Sequence, residues 1–252
     1  MRKIIAIRHY LVLKMELMIR CYLWTQLKLY WKAKESTVRA LSSNSALQEI
    51  SYLHAMNYLA HSFLTFTDGQ IVGQFLEDFI RNRDRFSFPK DIQDGITLHR
   101  AIDTFTDAHP AIHEAKKVFA PLVRLYSGAF VDVSMDYFVA NDVSLNSLEG
   151  WKNHSQKVYR VLNENYDFLP ENFKSMLVKM EEGDWLYNYR FEKNIGYSMR
   201  NVLNKAKYLD TDIPVHDAFL RNKSFLQECY DNFFPDLMEH AKGINTLLQL
   251  EN

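Results

Sequence analysis

The chain has little glycine, proline or cysteine. Its 252 residues include 8 Gly, 6 Pro and 2 Cys. Because turns depend on glycine and proline, their scarcity favours a few long elements over many short strands. Cys21 and Cys229 are too few and too isolated for a disulfide framework or a thiolate metal site, which fits a reducing cytoplasm. With 47% hydrophobic residues, the chain is long enough for one well-buried core.

Long hydrophobic runs are missing from the start of the chain. The first residues are apolar, but Arg8, Lys14, Glu16 and Arg20 interrupt them. No run there approaches the roughly 20 apolar residues that a transmembrane helix needs. Lys14 and Glu16 also divide the hydrophobic stretch that a signal peptide would require. The sequence therefore predicts no transmembrane segment, although a basic amphipathic helix on a membrane surface stays open.

Charge is distributed unevenly along the chain. Residues 1–55 hold nine Lys or Arg and three Glu, whereas the remaining 197 residues hold 21 basic and 28 acidic side chains. An acidic body disfavours nucleic-acid binding. The polar run over 35–45 is typical of a linker. We interpret residues 1–55 as a basic extension and linker ahead of the working protein, which we expect to occupy 56–252.

From Asn57 onward the apolar residues recur with helical spacing. Neither an alternating strand pattern nor an internal repeat is present. Asp68 is placed to cap one helix, and Pro89 and Pro110 suit the first turns of two others. The sequence predicts an all-α, single-domain helical bundle. After a short first helix, the predicted helices cover about 69–82, 89–108, 110–127, 129–141, 147–166, 170–182, 184–206 with an interruption near Gly196, and 215–250.

Acidic and histidine side chains recur on these helices at spacings that place them on one face. His99 and Asp103 are four residues apart, and Asp107 lies four further on. Such spacing alone is also common in surface pairs, and Asp107 could equally close its helix before Pro110. The other polar residues in apolar surroundings are His61, Asp78, Asp132 and Asp136.

Several buried carboxylates in one place need a cation to remain ionised, because unpaired buried charge is costly. Imidazole with carboxylates is a ligand set for Mn²⁺, Mg²⁺, iron or Zn²⁺. A bundle that gathers such residues from several helices can build a hydrolytic metal site.

Five segments, taken together and in order, resemble acyl-carrier-protein phosphodiesterases. The resemblance covers 56–252 and is strongest over 56–140. Members of that family typically begin at the equivalent of Met56, so the resemblance implies that residues 1–55 are an upstream extension or a misplaced start. The matching segments are 56–61 (MNYLAH), 73–81 (GQFLEDFIR), 95–107 (GITLHRAIDTFTD) with Pro110, 131–138 (VDVSMDYF) and, more loosely, 185–190 (WLYNYR).

The resemblance implies a divergent HD-domain-like phosphohydrolase that removes the 4′-phosphopantetheine arm from holo acyl carrier protein. It implies a divalent ion, Mn²⁺ first and Mg²⁺ or Fe²⁺ as alternatives. Tyr137 stands where family members often have His, and the adjacent His-Asp pair of HD proteins is absent, so the number of metal ions stays open. Carried onto this chain, the family implies Asp78, His99, Asp103 and Asp136 as metal ligands. It implies Asp78, His99, Asp103 and Arg100 as catalytic residues, with His61, Asp107 and Asp132 in support. Arg81 and Arg100 are the implied phosphate contacts.

Acyl carrier proteins are small and strongly acidic, so an acidic enzyme must meet them through a local basic surface. Two alternatives to this function stay open: an HD-type hydrolase of a nucleotide or other small phosphodiester, and a non-catalytic helical binding protein. The oligomeric state is not predicted. The candidate docking cations are Arg83, Arg85, Lys90, Lys116, Lys117 and Arg124.

Deleting residues 1–55 should leave a folded and active protein that begins at Met56, because the family-like sequence begins there. Thermal unfolding and activity of the two chain lengths measure this. A melting temperature lower by several degrees, or an insoluble product, would show that the extension packs on the core.

Overall fold

A computed structural model describes residues 58–250, which belong to one compact unit of eleven α-helices and four 3₁₀ turns, with no strand in that range. The predicted all-α bundle is confirmed, whereas its likeness to HD domains stays a prediction. The extension predicted over 1–55 lies outside the described residues. The helices are α1 Tyr58–Phe63, α2 Asp68–Leu76, α3 Lys90–Ala108, α4 Pro110–Val123, α5 Ser127–Asn141, α6 Leu148–Glu164, α7 Glu171–Glu182, α8 Trp185–Asn188, α9 Glu192–Lys205, α10 Val215–Arg221 and α11 Lys223–Leu250.

Most helix starts follow their predicted signals, but four details differ. Thr67, not Asp68, caps α2, because its hydroxyl accepts the Gln70 N–H at 3.2 Å. The helix ends at Leu76, and the chain continues through 3₁₀ turns at Glu77–Phe79 and Asn82–Ser87. The break predicted near Gly196 falls instead at 189–191, and the predicted last helix divides at Asn222.

Helix α5 is the central element of the bundle. Twelve of its fifteen residues are buried, and it packs against α1, α4, α9 and α11. A helix that is apolar on nearly all sides belongs inside a protein, since no face can be left to water. The carboxyl groups of Asp132 and Asp136 on this helix therefore need partners within the bundle.

One continuous helical stretch, 110–141, is long and apolar enough to cross a membrane, but 61% of its most apolar window is buried inside the protein. A positive φ of 50° at Arg124 interrupts it. The two halves, α4 and α5, pack against each other. Each is about 21–23 Å long at 1.5 Å per residue, short of a bilayer core of about 30 Å. The stretch therefore consists of two core helices.

Helices α2 and α3 touch backbone to backbone. A Cβ atom on Gly73 would lie 2.3 Å from the Ile92 carbonyl oxygen, and one on Gly95 would lie 2.5 Å from that of Gln70. Only glycine permits this approach, because every other residue carries a Cβ. The contact sets the end of α2 and the following 3₁₀ turn against the middle of α3.

Gly73→Ala should destabilise the protein by about 1–3 kcal/mol, because the added methyl meets rigid backbone. Gly243→Ala is the matched control: it also lies within a helix, but its Cβ would meet nothing within 4 Å. The control should gain about 0.5–1 kcal/mol from its better helix propensity. Urea unfolding of both variants measures the difference, and equal stabilities would contradict the close contact.

Candidate metal centre

Two histidines from different helices face one carboxylate. His61 of α1 and His99 of α3 stack with ring centroids 4.1 Å apart. Nε2 of His61 lies 3.3 Å from Asp103 Oδ1, and Nε2 of His99 lies 3.3 Å from Asp103 Oδ2. Both rings are buried. The i,i+4 spacing on α3 therefore does place His99 and Asp103 together, and α1 adds the second imidazole.

Gln74 contacts the Nδ1 atom of both rings. Nδ1 of His99 lies 2.8 Å from the Gln74 backbone carbonyl oxygen, so this nitrogen must donate. Nδ1 of His61 lies 2.7 Å from Oε1 of the same residue. A neutral His99 then presents its Nε2 lone pair toward Asp103, and Nε2 of His61 has no aligned hydrogen bond among the described residues. Two imidazole nitrogens beside a carboxylate are ligands for a cation, so this donor set fits a metal ion.

Asp78 and Glu77 extend the group on its other side. Asp78 Oδ1 lies 3.8 Å from His99 Nε2. Ligand atoms of Glu77, Asp78 and His99 lie within 4.8 Å of one another, as do those of His61, His99 and Asp103. Because Nδ1 of His99 is occupied by Gln74, His99 can bind only one ion, through Nε2. The two groups therefore meet at His99 Nε2.

Burial and charge compete at the centre. Burial lowers the pKa of His61, and the adjacent His99 lowers it further. Burial also opposes protonation of His99, but the carboxylates of Asp103 and Asp78 outweigh it and raise the pKa of His99 to about 10. Burial raises the pKa of Asp103, whereas the two imidazoles hold it well below its usual range. The pocket thus stabilises positive charge, and a metal bound at His99 would have to displace a proton.

The structure places Asp136, a predicted ligand, outside both groups. Its fully buried carboxylate accepts the Ala60 N–H at 2.9 Å and the Leu59 N–H at 3.3 Å. Burial raises the pKa of Asp136 well above its ordinary value, against those two hydrogen bonds, and Asp132 raises it further. Asp136 therefore accepts backbone N–H groups in the first turn of α1, the helix that carries His61, and the buried Asp132 lies one turn earlier on α5.

Asp107 is exposed and lies at the end of α3. Its Oδ1 atom is 3.1 Å from Lys116 Nζ on α4. His113 also contacts this helix end, with Nε2 2.8 Å from the Asp107 carbonyl oxygen. The structure thus supports the alternative in which Asp107 closes its helix, rather than a place beside the histidines.

Arg100 is the best-positioned cation at the edge of the centre. Its Nε donates to Glu77 Oε1 at 2.5 Å, and Nη1 donates to Asn82 Oδ1 at 2.6 Å. Arg85 lies close enough to feel both charges. Burial lowers the pKa of Arg85, the charge of Arg100 lowers it further, and the charge of Glu77 raises it. Arg81, also predicted to contact phosphate, is 72% exposed and pairs with Asp84 at 2.9 Å.

The predicted docking cations do not form one patch. Lys90 pairs with Asp94 at 2.5 Å and Lys116 pairs with Asp107 at 3.1 Å. These two acids are thirteen residues apart on α3, or about 20 Å along its axis. Lys117 and Arg83 also have acidic partners, Glu114 and Asp84, whereas Arg124 is exposed in the turn after α4.

The sequence reasoning missed Gln74, Glu77 and Lys205. Gln74 and Glu77 lie in the family-like segment 73–81. Gln74 is four residues before Asp78, so helical spacing could have indicated it, whereas Glu77 directly precedes Asp78, and adjacent side chains do not share a helix face. Lys205 ends α9 far along the chain, and only the fold brings its charge near Asp78. Tyr137 lies away from both ligand groups, with its hydroxyl 3.4 Å from Glu192.

Replacing Asp136 should separate capping from metal ligation. Asp136→Asn keeps an oxygen that can accept the Ala60 N–H, so bound metal should stay at the wild-type level. Asp136→Ala removes both acceptors and should cost about 1–2 kcal/mol of stability. Elemental analysis and thermal unfolding measure the two effects. Loss of metal from a stable Asn variant would instead identify Asp136 as a ligand.

Comparison with known proteins places the chain in a family. The model of the family described as "Acyl carrier protein phosphodiesterase" matches residues 56–237. A protein of that name from Salmonella agona (strain SL483) is 29% identical over 201 residues, which cover 74% of this chain and 97% of the relative. Another from Yersinia pestis is 27% identical over 192 residues, with 74% and 98% covered. No solved structure matches the chain. Because the family match spans most of the sequence, this chain belongs to the acyl carrier protein phosphodiesterase family.

Proposed function

We propose that this protein hydrolyses the phosphodiester that joins 4′-phosphopantetheine to a serine of holo acyl carrier protein, and so produces the apo form. The observation that carries the proposal is the pair of buried imidazoles whose Nε2 atoms each lie 3.3 Å from the Asp103 carboxylate, at residues that the family-like motifs contain. The names of the relatives, which cover most of the chain, support the choice of substrate.

The proposed ion position has His61, His99, Asp103 and Asp78 as ligands. A divalent cation bound there would supply Lewis acidity, which polarises a phosphoryl oxygen and lowers the pKa of a water. Gln74 keeps both imidazoles oriented for that role through its side-chain and backbone carbonyls. Two imidazoles with carboxylates suit Mn²⁺ or Fe²⁺ better than Mg²⁺, which prefers oxygen ligands, so we propose Mn²⁺.

Arg100 is the proposed phosphate contact. Glu77 and Asn82 hold its side chain, which is 16% exposed, beside the ligand group. A guanidinium fixed in advance can donate to a phosphoryl oxygen as negative charge develops there, with little reorganisation. Hydrolysis forms a bond between the water oxygen and phosphorus and breaks the bond between phosphorus and the serine oxygen. The serine oxygen takes up the proton that the water releases. No further reactant is needed.

The test is incubation of holo carrier protein with the Mn²⁺-loaded enzyme, followed by mass spectrometry of the carrier protein. The expected result is loss of the phosphopantetheine mass, which EDTA prevents and added Mn²⁺ restores. An unchanged carrier protein with folded, metal-loaded enzyme would contradict the proposal. A panel of nucleotides and simple phosphodiesters would then test the HD-type alternative, and absence of bound metal would favour a binding protein.

Asp78→Ala and His99→Ala should each reduce metal-dependent turnover at least about 100-fold, because each removes a ligand from the proposed ion. Their helical circular dichroism should remain close to that of the wild type. Asp107→Ala is the matched control, since that exposed carboxylate pairs only with surface groups and should leave turnover within about twofold. Near-wild-type activity of either ligand variant at saturating Mn²⁺ would contradict its assignment.

The proposed location is the cytoplasm, where thiols remain reduced. Cys229 is free and buried in the bundle, and burial raises its pKa. A thiol in that state needs no oxidising compartment.

A further inference from the structure

The 3₁₀ turn Asn82–Ser87 is fixed to helix α3 at both ends. At its start, Asn82 Oδ1 accepts a hydrogen bond from Arg100 Nη1 at 2.6 Å. Just after its end, the carbonyl oxygen of Phe88 accepts a hydrogen bond from Gln93 Nε2 at 2.8 Å. Both donors lie on α3, so the turn between these two contacts is held against that helix.

Side chains three residues apart in this turn lie on the same side of it. A 3₁₀ helix has three residues per turn, so the side chains at positions i and i+3 are eclipsed. Arg81 and Asp84 show this spacing, because Nε of the first lies 2.9 Å from Oδ2 of the second. Asn82 and Arg85 are the next pair with that spacing. Arg85 therefore lies on the side of the turn that faces Arg100, whereas Arg81 lies on the side of Asp84.

The guanidinium of Arg85 has no carboxylate of its own. Arg81 and Arg83 both pair with Asp84, whereas Arg85 forms no salt bridge with any residue that the structure describes. Its Cζ atom instead lies 4.5 Å from the centroid of the Phe86 ring. This cation–π contact holds the guanidinium without neutralising it. Arg85 thus keeps its charge and its N–H donors available to an anion.

Arg85 and Arg100 together form a place for an anion beside the candidate metal centre. Arg100 Nε lies 2.5 Å from Glu77 Oε1, and ligand atoms of Glu77, Asp78 and His99 lie within 4.8 Å of one another. The pKa of Arg85 responds to the same neighbours: burial lowers it, the charge of Arg100 lowers it further, and the charge of Glu77 raises it. Two nearby guanidinium groups repel each other, and an anion that accepts hydrogen bonds from both offsets that repulsion.

We propose that Arg85 is a second phosphate contact, which binds the phosphodiester of the substrate together with Arg100. This inference rests on the proposed function. The charges of the site suit a phosphodiester: Glu77, Asp78 and Asp103 carry three negative charges, whereas a divalent ion and the two guanidinium groups would carry four positive ones. The surplus of one positive charge matches the single negative charge of a phosphodiester.

The experiment compares Arg85→Ala and Arg85→Lys with Arg160→Ala. The last is the matched control, because it removes the same side chain from an exposed position on α6, where Arg160 pairs with Glu164 at 3.2 Å. Calorimetric titration of each Mn²⁺-loaded protein with inorganic phosphate gives a Kd that does not depend on turnover. Hydrolysis of holo carrier protein and of bis(p-nitrophenyl) phosphate gives KM and kcat. Elemental analysis and thermal unfolding report bound metal and fold.

Arg85→Ala should raise the phosphate Kd at least about tenfold and lower kcat/KM for both substrates at least about tenfold, because a hydrogen bond to a charged group is lost. Arg85→Lys keeps the charge without the planar fork of donors, so its phosphate Kd should rise about threefold. That variant decides the question if the alanine variant fails to fold. The control should stay within about twofold of wild type, and bound metal should be unchanged in all three variants.

Two results would overturn the role of Arg85 while the proposed function stands. One is phosphopantetheine release by a wild type whose phosphate Kd the Arg85 variants leave unchanged. The other is a loss confined to the carrier protein, which would make Arg85 a docking cation. If phosphate binding depends on Arg85 but the wild type releases no phosphopantetheine, the contact is supported and the function is wrong. If the wild type neither binds phosphate nor cleaves the carrier protein, both proposals are wrong.

Discussion

The close approach of α2 and α3 controls the geometry of everything around the proposed ion position. With no Cβ at Gly73 or Gly95, the two backbones come into contact, and the carbonyl of Gln74 reaches His99. The same approach sets Asp78 beside His99 Nε2. A wider separation would release His99 Nδ1 from its acceptor, and its protonation and ring orientation would no longer be determined. Two residues without side chains thus decide how several functional side chains meet.

Two carboxylates in this bundle, the fully buried Asp136 and the half-buried Asp103, have different partners. Asp136 is satisfied by backbone N–H groups at the start of α1, which stabilise it without further charge. Asp103 instead faces the Nε2 atoms of two imidazoles, and together with Asp78 it raises the pKa of His99 to about 10. Positive charge, carried by a proton on His99 or by the proposed ion, therefore balances Asp103, whereas backbone N–H groups serve Asp136. Asp103 lies in a candidate ligand group, and Asp136 lies outside both groups.

Several cations lie around the acidic side chains of this centre. Glu77, a member of one candidate ligand group, pairs with Arg100 and so holds the proposed phosphate-binding cation at the acidic side of the site. Arg85 and Lys205 add positive charge near the same carboxylates. A negatively charged group that approached the centre would meet these cations, although acids outnumber bases by 28 to 21 over 56–252.

The sequence by itself determined the helices and one ligand pair. Helical periodicity and scarce glycine predict the bundle, and i,i+4 spacing on α3 joins His99 to Asp103, because both properties are local to one helix. Asp136 and Asp107 have the same spacing but lie outside both candidate ligand groups, since spacing does not say what lies opposite a helix face. Only the tertiary structure decided that His61 joins His99, that Asp136 caps α1, and that α9 ends near Asp78. These contacts join residues distant in the chain, and their geometry follows from how closely helices can pack.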